Sequence, residues 1–266
     1  MADVQYHVHV GAGDVGRYVL LPGDPGRCEP IAALFESPKH IAHHREYNTF
    51  TGLIDGEKVS VTSTGIGGPS SAIAMEELAR VGADTFVRVG QSGAMQEWIS
   101  PGDLGVITAA IRDEGTSRNY LPIEFPAVAD RDVTSALLEG AKRVGATVHL
   151  GIAASKDSFY TQQGQTPRSG SVPVANYLRD RWLAWMAGGA IASEMEAATQ
   201  FIVASVLGKR AGAILLIGGH ADMRPMTSEE EARCSLDLLL RASIEGVREL
   251  IARDRAARAR GDAQRS

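Results

Sequence analysis

Apolar and β-branched residues gather into short runs that end at glycines or other small residues: RYVLLPGD (17–24), KVSVTSTGIGG (58–68), TFVRVGQSG (85–93), DLGVIT (103–108), VHLGIAAS (148–155) and AGAILLIGG (211–219). Runs of this kind predict strands whose C-terminal ends open into loops. Between them the period lengthens to that of a helix. Ala74, Leu78 and Val81 share a face behind Pro69, and Val133, Leu137, Ala141 and Val144 form a stripe behind the cap Asp130. The clearest stripe is Leu236, Leu240, Ile244, Val247 and Ile251, with Arg and Glu on the opposite face. Strands alternating with helices imply an α/β fold, one domain with a mixed central β-sheet flanked by helices on both faces. Such sheets place their sites beyond the strand C-termini, where the loops PGDPGR, GIGGPS and GQSGA fall. The domain is expected over residues 1–254. Residues 255–266, RAARARGDAQRS, carry no apolar stripe and read as a charged, disordered tail.

Composition narrows the class. The 266 residues are 44% hydrophobic and 22% charged, enough for a sizeable core in a single domain. The formal charge of −5 offers no basic field for a nucleic-acid backbone, so nucleic acid is disfavoured and any phosphate recognised is small and locally held. The two cysteines, Cys28 and Cys234, form neither a disulfide framework nor a zinc-type pair, which suits a reducing cytoplasm. MADVQYHVHVGAGD lacks a basic segment followed by an apolar core, and no run of 18 apolar residues occurs, so neither export nor a membrane span is expected.

The chemistry begins with an anomaly: Arg88 sits inside the apolar run FVRVG. A guanidinium stays charged and costs several kcal/mol to bury alone, so it needs an anionic partner. Arg27 in PGDPGR and Arg45 in HHREYN lie beside other turn features. Taken singly, each suits a surface charge or a structural ion pair; taken together, guanidinium forks and glycine-loop amides suit phosphate. TGIGGPSSAIAMEEL approaches a dinucleotide fingerprint, but the next strand offers Arg88 and Gln91 where an acid is wanted, and the glycines alone equally suit a tight strand-to-helix turn. No GxxxxGK[ST] loop exists. Glu194 and Glu196 flank Met195; in an extended segment both carboxylates face one way and suit sugar hydroxyls, and at a helix N-terminus they would serve the dipole. His7 and His9 read alone as solvated histidines in a mobile segment. His40, His43 and His44 lack the second ligand group that a metal site needs.

Together these segments resemble the nucleoside phosphorylase family, most closely its uridine phosphorylase branch. The resemblance is carried by LLPGDPGRCEPIAALF, HHREYNTFTG, VTSTGIGGPSSAIAMEELARVGADTFVRVGQSGAM, YLPIEFPAVADRDVTSALLEGAKRVGATVHLGIAASKDSFY and SEMEAAT, in family order through most of residues 7–215. It implies phosphate held by the Gly23 backbone, Arg27, Arg88, Gln91 and Ser92, with Arg45 reaching in from a neighbouring subunit. His7 would likewise cross an interface, toward the ribose 5′ hydroxyl. Ribose would lie against Met195 and Glu196, with Glu194 nearby. The base would meet Phe159, Gln163, Gln165 and Arg168, and Arg88, Glu196 and Gln163 would form the reacting centre. A monovalent cation, K+ in type, can sit near Glu46, Ile66 and Ser70. The resemblance calls for no organic cofactor, inorganic phosphate as co-substrate, and a hexamer built as a trimer of dimers.

Three departures stand out. Gln91 replaces a small hydroxyl residue that touches phosphate and ribose. The uridine-reading Gln-x-Arg becomes Gln163-Gly164-Gln165, which removes a cationic donor that Arg168 could replace by folding back. Where the purine branch carries an acid, this chain has Gly219, and Asp222 would serve only with a shifted loop. The expected activity is phosphorolysis of a pyrimidine nucleoside, uridine or a modified uridine. The alternatives are a purine nucleoside phosphorylase, a nucleoside hydrolase in which water replaces phosphate, and a non-catalytic nucleoside-binding protein. Retention of Arg27, Arg45, Arg88 and Glu196 favours the phosphorylase.

Overall fold

The computed structural model describes residues 4–161 and 174–261. Its centre is β5 (Thr85–Ala94), bordered in parallel by β1 (Tyr18–Leu21) and β10 (Arg210–Ile217). Beyond β1 lies β4 (Glu57–Thr62), followed in antiparallel succession by β3 (Tyr47–Ile54) and β2 (Glu36–His44). On the other side β10 leads to β6 (Leu104–Asp113), which carries the short β7 (Ala127–Val128), and then to β8 (Val148–Lys156) and β9 (Ala192–Glu194). β9 pairs with the end of β5, Ser193 opposite Gly93, so five strands of the sheet close into a ring. The mixed sheet agrees with the expected architecture.

Helices cover both faces. α2 (Gly68–Arg80) and α5 (Ala197–Leu207) pack in one core with Val19, Phe86 and Leu215. On the opposite face α3 (Arg131–Arg143) and α7 (Leu236–Ala259) pack with Val87, Val89 and Ile214. The opposed side chains of β5 thus seal two apolar cores, as strict alternation along a strand requires. Shorter helices α1 (Cys28–Ala32), α4 (Asn176–Ala187) and α6 (Ser228–Arg233) fill the connections. Asp130 caps α3, accepting from the amides of Asp132 at 3.0 Å and Val133 at 2.9 Å. No described helix is long and apolar enough to cross a membrane.

Two expectations change. The stripe of α7 is buried from Leu240 to Ile251, but Leu236, at the helix start, is 37% exposed. The helix also continues to Ala259, so residues 255–259 are helical where a disordered tail was expected; residues 262–266 lie outside the described set. Charge holds the extension where the apolar stripe has ended. Asp254 accepts from Arg210 Nη1 at 2.9 Å and Nη2 at 2.6 Å and from the Tyr18 hydroxyl at 2.6 Å, tying α7 to the starts of β10 and β1. Burial and the bond to Asp254 push the Tyr18 hydroxyl well above the usual phenol range. Removing the carboxylate strands a half-buried guanidinium and a phenol. Asp254→Ala is therefore expected to lower stability by about 2 kcal/mol, measured as a fall of several degrees in the thermal unfolding midpoint.

Candidate active site

Arg88 lies midway along β5, in register with Leu21 of β1 and Ala213 of β10, and is 3% exposed. The anionic partner its position demands is present within the chain. Arg88 Nε lies 2.8 Å from Glu194 Oε2, and Nη2 lies 2.5 Å from Glu196 Oε2. Gly90 makes room for this, because a Cβ there would stand 2.9 Å from Arg88 Cζ and 2.9 Å from Leu215 Cδ2. Glu194 ends β9 and Glu196 sits at the N-cap of α5, so both readings of the acid pair hold in part. Glu194 Oε2 accepts from the amides of Glu196 at 2.7 Å and Ala197 at 2.8 Å, while its Oε1 accepts from the Ser155 hydroxyl. Its oxygens thus anchor the start of α5 and Arg88. Met195, half-buried, separates the two acids.

Glu196 Oε1 accepts from the amide of Gly67 at 2.6 Å. Gly67 has φ +95 and ψ 173, a conformation open essentially to glycine alone, and this turns its amide toward the carboxylate. The glycine loop is therefore a tight strand-to-helix turn that positions an acid. Burial raises the Glu196 carboxyl above its ordinary range, opposed by the Arg88 charge.

Arg27 and Gln91 meet at the neighbouring corner, with Arg27 Nη2 donating to Gln91 Oε1 at 2.5 Å. Burial pulls the Arg27 guanidinium below its ordinary range; Asp24 opposes that and Arg88 adds to it. Arg27 and Arg88 are thus close enough to repel, an arrangement suited to an anion held between them. Gly23 lies in the same loop, where a Cβ would come within 3.1 Å of Gly65 O. Ser92 is buried, its hydroxyl 3.5 Å from Leu216 O.

The other candidates gather elsewhere. His7 is not a loose, solvated residue: its Nδ1 donates to Glu77 Oε1 at 2.6 Å and its amide to Oε2 at 2.9 Å, while Val8 and Val10 are fully buried. His44 Nδ1 donates to His7 O at 2.9 Å and its ring stacks on His9 at 3.7 Å, which fastens the N-terminal segment to the β2–β3 turn. Arg45 occupies that turn with φ +54, is exposed, and among the described residues has no ion-pair partner. Glu46 packs over Gly65, and the Ser70 hydroxyl donates to Ile66 O at 3.4 Å, so the three residues expected at a cation site are close together. Ile66 is 77% exposed. No three His, Cys, Asp or Glu converge as a metal site among the described residues, and His40 instead pairs with Asn48.

On the base side, Phe159 follows β8 and is half-exposed. Gln163, Gln165 and Arg168 lie outside the described residues. A residue that the sequence reading passed over fills the same region. Lys156, the last residue of β8, is 3% exposed; its Nζ donates to Ser193 Oγ at 2.5 Å and stands 5.8 Å from the Phe159 ring centroid. Burial pushes the ammonium down to about 8, although Glu194 and Glu196 hold it up. The signal was available: a lysine closing an apolar strand raises the same question as Arg88.

A closed ring of strands on which arginines and carboxylates converge defines a class. The family model of the phosphorylase superfamily matches residues 17–248, and the chain belongs to that superfamily. It is 46% identical over 252 residues to the uridine phosphorylase of Treponema pallidum (strain Nichols), covering 95% of this chain and 96% of that one. It is 50% identical over 216 residues to the uridine phosphorylase of Thermococcus kodakarensis, covering 80% and 76%. A guanosine phosphorylase of Halorubrum lacusprofundi is 40% identical over 216 residues, covering 81% and 83%. The packing around Gly90 then becomes testable in a nucleoside phosphorylase. Gly90→Ala is expected to displace the Arg88 guanidinium and lower kcat/KM at least tenfold while circular dichroism stays native, by analogy with loss of one positioned donor.

Proposed function

We propose that the protein cleaves the N-glycosidic bond of uridine, or of a modified uridine, with inorganic phosphate, giving the free base and ribose 1-phosphate. The observation that carries this is the distribution of cations about β9. Arg88 and Arg27 lie on its β5 side, and Lys156 with Phe159 lies on its β8 side, with Glu194 and Glu196 between. Phosphate and base thus have separate cationic supports and a carboxylate for the sugar between them. As the glycosidic bond lengthens, the sugar gains positive charge and the base negative charge. Phosphate at Arg27 and Arg88 attacks the anomeric carbon from the opposite face, and its own charge stabilises the sugar. Glu196 accepts from the ribose hydroxyls over Met195. Phe159 packs on the base, and Lys156 supplies the positive donor that Gln165 does not. No covalent enzyme intermediate is needed.

The purine reading has the guanosine phosphorylase as support, but the described residues offer little to protonate a leaving purine. Gly219 stands at the relevant position, and Asp222 is exposed, its Oδ1 taken by the amide of Arg224 at 3.1 Å. His7 and Arg45 act in a neighbouring subunit's site, which requires an oligomer, a hexamer built as a trimer of dimers. The oxygens of Glu46, Ile66 and Ser70 suit a hard monovalent cation, K+ in type. They are half of the about six such an ion takes, so a second subunit would complete the set. The free cysteines fit a cytoplasmic setting.

A nucleoside panel assayed with and without phosphate tests the reading. Uridine-type substrates are expected to lead and to require phosphate; faster turnover of inosine or guanosine would assign a purine enzyme, and base release unaffected by phosphate would assign a hydrolase. Arg88→Ala is expected to abolish phosphorolysis with the oligomer intact on size-exclusion chromatography, and an active variant would remove Arg88 from the site. The Lys156 charge is present below about 8 and lost above it, so kcat should fall as pH rises through that value. Lys156→Met is expected to lower kcat on the order of 100-fold and to flatten that alkaline limb.

A further inference from the structure

We infer that Gln91 is a positioning residue for phosphate binding: its side-chain carbonyl fixes the guanidinium of Arg27 while leaving the charge of that guanidinium intact. The inference rests on the phosphate-dependent reading above. Its starting point is the bond from Arg27 Nη2 to Gln91 Oε1 at 2.5 Å. A guanidinium only donates, so the atom facing it is the amide oxygen, and the orientation of the amide is fixed by its partner.

Arg27 has little else to hold it. Asp24 is the acid nearest in sequence, yet its Oδ2 stands 3.8 Å from Arg27 Nε, beyond hydrogen-bond range, and its Oδ1 accepts from the amide of Gly26 at 2.8 Å. Arg27 Nε is buried without a hydrogen-bond partner. Burial and the nearby charge of Arg88 both disfavour the guanidinium where it lies. Without an anchor a flexible side chain under that repulsion would swing to solvent, and ordering it again would weaken phosphate binding.

The chemistry of the anchor matters as much as its presence. A carboxylate at position 91 would hold Arg27 more strongly, but it would cancel the charge that phosphate needs and would repel the dianion. A hydroxyl on a threonine-sized side chain is two atoms shorter than the amide. Glutamine supplies reach and an acceptor with no net charge. Its backbone is firm, because Gln91 pairs in register with Leu216 of β10, and the amide of Gly218 donates to Ser92 O at 2.8 Å. The departure from the family pattern at this position is thus a substitute route to an ordered anion site.

Initial rates at saturating uridine, with inorganic phosphate varied, test this in the wild type, Gln91→Ala, Arg27→Lys, the double variant and Gln91→Glu. The wild type is expected to require phosphate. Gln91→Ala should raise KM for phosphate roughly tenfold and leave kcat within about threefold, the size expected for a hydrogen bond to a charged group. Arg27→Lys should remove most of that effect, so the double variant should match Arg27→Lys alone. Gln91→Glu should raise KM for phosphate more than Gln91→Ala does. An unchanged or lower KM in Gln91→Ala, or two effects that simply multiply in the double variant, would overturn the role. Base release by the wild type without phosphate would instead remove the phosphorylase reading on which it rests.

Discussion

A cation buried in the middle of a central strand constrains everything placed around it. Desolvating one guanidinium costs several kcal/mol, recovered only through close, well-shaped ion pairs. Arg88 obtains two, from Glu194 and Glu196, and these come from the short stretch where β9 ends and α5 begins. To bring them there, β9 must lie against the end of β5, which is what closes the strands into a ring. Gly67 and Gly90 follow from the same requirement. One turns an amide onto Glu196, and the other leaves space for the guanidinium. The site and the closure of the sheet are therefore one structural solution, and the apolar cores on either face hold it rigid.

The features legible in the sequence were those whose physical cost is visible locally. An arginine between Val87 and Val89 announces a partner, and glycines after apolar runs announce loops at strand ends. The same rule applied to Lys156 would have found the second buried cation, but it closes its strand, where a charged residue passes for the start of a loop. β2 was hidden because ESPKHIAHH is polar and largely exposed, with no alternation to detect, although β3 beside it alternates. α5 was hidden for the opposite reason: AATQFIVASVL is apolar almost all round and shows no stripe. The end of α7 was missed because Asp254 holds it through Arg210 and Tyr18, partners from distant segments. The pairing of Arg27 with Gln91 is equally non-local, 64 residues apart.

Charge balance gives a physical reason for the proposed sharing of the site between subunits. With both acids ionised, Arg88 and Lys156 together offset Glu194 and Glu196, so the buried cluster is then close to neutral while Lys156 keeps its proton. A phosphate dianion added to a neutral cluster needs about two further positive charges. Arg27 supplies one, hydrogen-bonded to the uncharged Gln91, with the Asp24 carboxylate 3.8 Å from its Nε. Arg45, exposed at the tip of the β2–β3 turn with no ion-pair partner among the described residues, is a cation of the right kind left over. Its turn is clamped by the His9–His44 stack to the segment that carries His7, so the two residues proposed to act across an interface are presented by one unit. A second copy of the chain, offering that unit to the Arg27 corner, would complete the charge that phosphate requires. In the proposed assembly the oligomer would then be part of the chemistry, with the second copy supplying the further cation.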